Sequence, residues 1–134
     1  MRGLGIAILF LAAGFVAGCS QVKARFEQKS ADQFAQTAFE KFRVRGIRQL
    51  PLSDQYDEMK IRSAETVVKL IPTVKPTSSR LTQIQIVSDN DALVRRQYVY
   101  PDRKLEVSVG MERNGGFGSW KLYGLSVTPA TEAR

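Results

Sequence analysis

The sequence predicts an α+β domain in which two N-terminal helices pack on a curved four-stranded antiparallel sheet, and three observations lead there. Apolar residues recur at helical spacings as far as residue 71, they alternate with polar ones from Arg80 onward, and turn-forming residues divide the second half. At 134 residues the chain is long enough for one hydrophobic core and short for two. Its 43% hydrophobic and 25% charged residues are those of a globular chain, which excludes a disordered or fibrous one.

The first helix is predicted from residue 30. Ser30-Ala31-Asp32-Gln33 has the form of a capping box, a serine oxygen for an unpaired N–H and a glutamine able to bond back. Behind it Phe34, Ala35, Ala38, Phe39 and Phe42 form an aromatic and small-residue stripe suited to a core, and Gly46 supplies the stop. Leu50-Pro51-Leu52-Ser53-Asp54 then reads as a turn with a second N-cap. Asp54, Asp57 and Glu58 fall where the positive end of a helix dipole favours acids. The expected buried stripe of this second helix is Tyr56, Met59, Ser63, Val67, Leu70 and Ile71, with Ala64 nearby. Glu58 and Arg62 form an exposed pair, and Pro72 with Pro76 ends the helix.

Strands are expected over 80–88, 92–101, 104–112 and 119–128, joined as a meander by Ser88-Asp89-Asn90-Asp91, Pro101-Asp102-Arg103 and Asn114-Gly115-Gly116-Phe117-Gly118. On the third, Leu105, Val107, Val109 and Met111 share one face. On the fourth, Trp120 and Leu122 are out of phase with Leu125 and Val127, so a bulge is expected at Gly124.

The chain has no histidine and one cysteine. Histidine acid–base catalysis, histidine metal sites, zinc clusters and intramolecular disulfides are thereby excluded. No catalytic residue, metal ligand or cofactor is expected. Asp89-Asn90-Asp91 lacks the glycine and distant glutamate of a calcium loop, and Asn114-Gly115-Gly116 lacks the lysine and helix of a phosphate loop.

The N-terminus carries the most specific signal. Met1-Arg2 is a short basic start, and residues 4–16 form an uncharged, mostly apolar run, shorter than the about 20 apolar residues a membrane span needs. It ends at Val16-Ala17-Gly18-Cys19, which resembles the lipobox of bacterial lipoproteins, and Cys19 is the chain's only cysteine. The resemblance implies a signal peptide over 1–18, removed by cleavage before Cys19. It further implies a covalent diacylglycerol and an N-acyl chain on Cys19, hence a membrane anchor of two or three chains. Ser20 follows the cysteine, which resembles the default outer-membrane signal of enteric-type sorting, so the expected location is the bacterial envelope, on the outer membrane facing the periplasm. Residues 19–29 are expected to be the lipidated cysteine and a tether, the alternative being a backward extension of the first helix by way of Val22 and Phe26. Residues 30–134 are expected to form the single domain.

Two helices, a curved sheet and the closing Gly118-Ser119-Trp120-Lys121-Leu122-Tyr123-Gly124-Leu125 resemble small cystatin-like and nuclear-transport-factor-two-like domains. In such domains the outer sheet face often pairs with a partner. The second strand fits that expectation, because Leu93, Arg95, Gln97 and Val99 alternate with Val94, Arg96, Tyr98 and Tyr100, and either phase carries an arginine. Arg95, Arg96, Tyr98 and Tyr100 are therefore candidates for a partner- or anion-binding face. A second candidate is the basic cluster Lys41, Arg43, Arg45 and Arg48, richer in cations than a helix C-terminus requires. These cations could engage anionic lipid headgroups, glycan-associated phosphates or an acidic partner, and with Arg2 removed by cleavage the expected mature chain stays basic. The expected function is a lipid-anchored binding or scaffolding domain with an envelope protein partner or self-association through the sheet, and no nucleic acid. The alternative is a periplasmic small-ligand-binding module.

Overall fold

The structure is a computed structural model that describes the backbone of residues 2–115 and 118–130, and the side chains of residues 24–115 and 118–130. The element order is α1 (Arg2–Arg45), a 3-10 turn (Ile47–Gln49), α2 (Glu58–Val68), β1 (Ser78–Ser88), β2 (Asp91–Val99), β3 (Lys104–Glu112) and β4 (Lys121–Pro129). The strands form one open antiparallel sheet in the order β1-β2-β3-β4. This is the expected α+β class and meander.

Alternation sets the sheet's two faces. Ala92, Val94, Tyr98, Tyr100, Leu105, Val107, Val109, Met111 and Leu122 are buried on the inner face, beside the buried Ala31, Ala35, Ala38, Phe39 and Phe42 of α1. Phe39 stacks on Tyr98 with ring centroids 4.0 Å apart. Large side chains thus fill the space between the helix layer and the sheet. At the end of α1, Gly46 takes φ 91° and its N–H still bonds the Phe42 carbonyl, a left-handed closure that suits glycine.

The expected bulge lies one residue before Gly124. Gly110 pairs with Gly124 and Met111 with Leu122, which leaves Tyr123 as the extra residue. Inserting it restores phase, so Leu122 is buried and Leu125 also packs on the core. The Tyr123 ring then lies over Gly110, where an added Cβ would come within 2.8 Å of it. Residues 51–53 run along the free edge of β4: Leu122 N–H donates to the Pro51 carbonyl and Ser53 N–H to the Leu122 carbonyl.

Two expectations about the helices are corrected. Residues 20–29 are helical, and α1 passes through Ser30 without a cap. The Ser30 hydroxyl accepts from the Trp120 indole N–H at 3.1 Å, meeting the need of a buried tryptophan for a partner. The second helix is capped by Asp57, whose carboxylate accepts from Lys60 N–H, and it ends at Val68, before Pro72. Its buried face is Ile61 and Ala64, with Val68 partly buried against the core; Met59 is 78% and Leu70 63% exposed, Ser63 is exposed too, and Tyr56 and Ile71 are buried outside the helix.

Trp120 is 5% exposed, and replacing it by alanine should cost about 3–5 kcal/mol of unfolding free energy. Urea or thermal unfolding followed by circular dichroism checks this, and an unchanged transition would contradict the packing described.

Candidate functional site

Two ion pairs in which both side chains are largely taken from solvent lie between α1 and the sheet. At the N-terminal part of that contact, Arg113, just beyond β3, stacks over the Trp120 ring at 4.1 Å. It donates from Nη2 to Glu27 at 2.5 Å and from Nε to the Asp89 carbonyl at 2.9 Å. The Arg113 and Glu27 side chains are only 9% and 13% exposed. One guanidinium thus joins α1, the β1–β2 turn and the start of β4, using the planar fork and stacking surface that lysine lacks.

One helical turn on, Asp32 accepts from Arg96 Nη1 at 2.7 and 2.9 Å, and Arg96 Nη2 donates to Ser79 Oγ at 3.1 Å. Among the described residues, Arg96 Nε and the Tyr100 hydroxyl are buried and have no hydrogen-bond partner. Burial pushes the Tyr98 hydroxyl up to about 12, and burial likewise raises Tyr100 and Tyr56.

The candidate face on β2 is therefore divided. Arg96, Tyr98 and Tyr100 lie on the inner side and are buried, so the expectation that they form an outer binding face is corrected. The arginine is tolerated there because α1 brings a carboxylate to it. Arg95 faces outward, is exposed, and donates to Gln83 Oε1 at 3.1 Å. Beside it Arg80 donates to Gln97 Oε1 at 2.8 Å, giving the outer face a polar, hydrogen-bonded surface.

The basic cluster is divided in the same way. Arg43 is held by Glu40 and the Thr73 carbonyl, and Arg48 by Glu58 at 2.6 Å and Glu65 at 3.0 Å. The hydrogen bond from Arg48 lowers the pKa of Glu58. Among the described residues, Lys41 and Arg45 are exposed and without an ion-pair partner. The Cys19 side chain lies outside the described side chains.

Glu27, Asp32 and Arg113 were not singled out by sequence reasoning. The available signal was spacing: Glu27 stands four before Ala31, and Asp32 three before Ala35 and seven before Phe39, so both border the apolar stripe. Among the described residues no acid or cysteine cluster could hold a metal ion, and no helix is long and apolar enough to cross a membrane. An open groove of about 460 Å³ lies between α2 and β4, lined by Tyr56, Met59, Val67, Tyr123 and Leu125 among others.

Removing one partner of the Asp32–Arg96 pair should cost more than removing both. Asp32→Ala should lose about 3 kcal/mol, and Asp32→Ala with Arg96→Met should recover part of that loss, as a double-mutant unfolding cycle will read. Stability should also fall as pH rises from about 10 to about 12, because the unfolded Tyr98 ionises first while the folded one keeps its proton. Tyr98→Phe should flatten that slope in alkaline unfolding titrations, and an unaltered slope would place the loss elsewhere.

No protein-family model matches the chain, and no curated protein or solved structure shows significant similarity to it.

Proposed function

We propose that the chain is a bacterial envelope lipoprotein, cleaved before Cys19 and held in a membrane by diacylglycerol and N-acyl chains on that residue. The coincidence that carries this is serial: a basic start, an apolar run too short to span, Val16-Ala17-Gly18, and then the only cysteine. Ser20 supports the outer membrane, periplasmic side, as the location. A long helix laid on an antiparallel meander supports the finer cystatin-like assignment.

The domain acts in this reading by binding or scaffolding and not by catalysis. Its space between helix and sheet is filled by Phe39, Phe42, Met111 and Leu122, and the charges of its two largely buried ion pairs are spent on one another. A second reading, the small-ligand module, is favoured by the α2–β4 groove with exposed Met59 at its rim. A ligand there would sit beside the second helix, outside the core.

Cys19→Ala tests the anchor. The variant should lose radiolabelled acyl incorporation and persist as uncleaved precursor, since the thiol accepts the lipid and marks the cleavage site. Unchanged labelling would overturn the proposal.

A further inference from the structure

The exposed side of α1 is patterned from Phe26 to Val44. Among the described residues of α1, these two are the large exposed hydrophobics, 73% and 62% accessible. They stand eighteen positions apart, and eighteen residues are five turns at 3.6 per turn, so both lie on one line, roughly 27 Å apart. Lys29, Gln33, Thr37 and Lys41 occupy the stripe between them, and all are exposed. Arg25 and Arg45 flank its ends. Among the described residues none of Arg25, Lys29, Lys41 and Arg45 has an ion-pair partner. The acids of this helix are otherwise engaged: Glu27 with Arg113, Asp32 with Arg96, and Glu40, which lies within the stripe four positions before Val44, with Arg43.

The geometry points to α1 lying along the surface of a bilayer rich in anionic lipids, with Phe26 and Val44 entering the interface and Lys29 and Lys41 meeting the phosphates. The inference rests on the reading of Cys19 as an acylated residue, which stands seven positions before Phe26 on the same helix, two turns away on the same line. An upright helix would leave Lys41 about 33 Å from Cys19, far beyond the about 8 Å over which physiological salt permits attraction. Only a helix laid flat brings both ends of the stripe to the lipid at once. The end-on surface is the poorer candidate, because Asp89, Asp91 and Glu112 gather at the strand ends near Arg113. In the flat arrangement the sheet stands above the helix, and its polar outer face is turned away from the membrane.

The test uses the full chain, produced in a bacterial host and extracted from membranes as parent, Phe26→Trp, Val44→Trp and Gln85→Trp. The mass of Cys19-containing peptides is read first. Each protein is then reconstituted into vesicles of phosphatidylethanolamine and phosphatidylglycerol with brominated acyl chains, and the emission added over the Trp120 background is recorded. Quenching of the added emission at positions 26 and 44, with none at 85 on the outer sheet face, is the expected result. In Val44→Trp carrying Lys29→Gln and Lys41→Gln, the flat-to-upright ratio should fall roughly 30-fold. Acylated protein quenched at position 26 alone, or at neither position, overturns the flat helix and leaves the anchor standing. A Cys19 peptide without lipid overturns the anchor reading, and the inference with it.

Discussion

The placement of α1 before Ala31 depends on the guanidinium of Arg113. One face lies on Trp120, and its two donating edges reach Glu27 on the helix and the Asp89 carbonyl in the β1–β2 turn. The Arg113 backbone N–H adds a bond to the Asn90 carbonyl. A buried charge is costly unless it is paired and hydrogen-bonded, and these contacts fasten α1 to strand ends that the ladder already holds together, where Asp91 pairs with Glu112 and Glu112 with Lys121. Trp120, fixed from above, presents its N–H to Ser30. Two residues of α1 three positions apart are thereby fixed to the same end of the sheet.

That constraint determines what kind of connection links the domain to Cys19. A polar decapeptide with few apolar side chains has little reason to be helical alone, since helix formation needs a costly nucleus. Here the nucleus is supplied by the packed turns from Ala31 to Phe42, and the Glu27 and Ser30 contacts carry it back toward the N-terminus. A helical connection conveys orientation, whereas a coil conveys only reach. Asp32–Arg96 continues the same seam, and with Phe39 on Tyr98 it fixes the rotation of α1 about its own axis. The rotation decides which stripe of the helix is left outside.

Local patterns carried most of the sheet. Alternation at Leu105, Val107, Val109 and Met111 and the phase break near Gly124 are nearest-neighbour facts, and the strands and the bulge follow from them. The phase of α2 was less legible, because Ser53, Asp54 and Asp57 are all acceptable caps, and the choice of Asp57 follows from Ser53 being drawn to the β4 edge. The helical state of residues 20–29 is illegible for a different reason. It depends on partners 86 and 90 positions away, Arg113 and Trp120, whose approach no local spacing announces. Arg96 was recognised as an anomaly on its strand, and its partner Asp32 lay 64 positions earlier, hidden in an apparent capping box.

Residues 24–30 belong to a helix held on the sheet by Arg113, and amide hydrogen exchange reads how firmly they are held. In the full chain, the amides of residues 27–31 should be protected to nearly the degree of those in residues 35–42. Arg113→Gln should release the first group while leaving the second protected. Free exchange at residues 27–31 in the parent chain, or protection there that survives Arg113→Gln, would show that Arg113 does not hold this part of the helix.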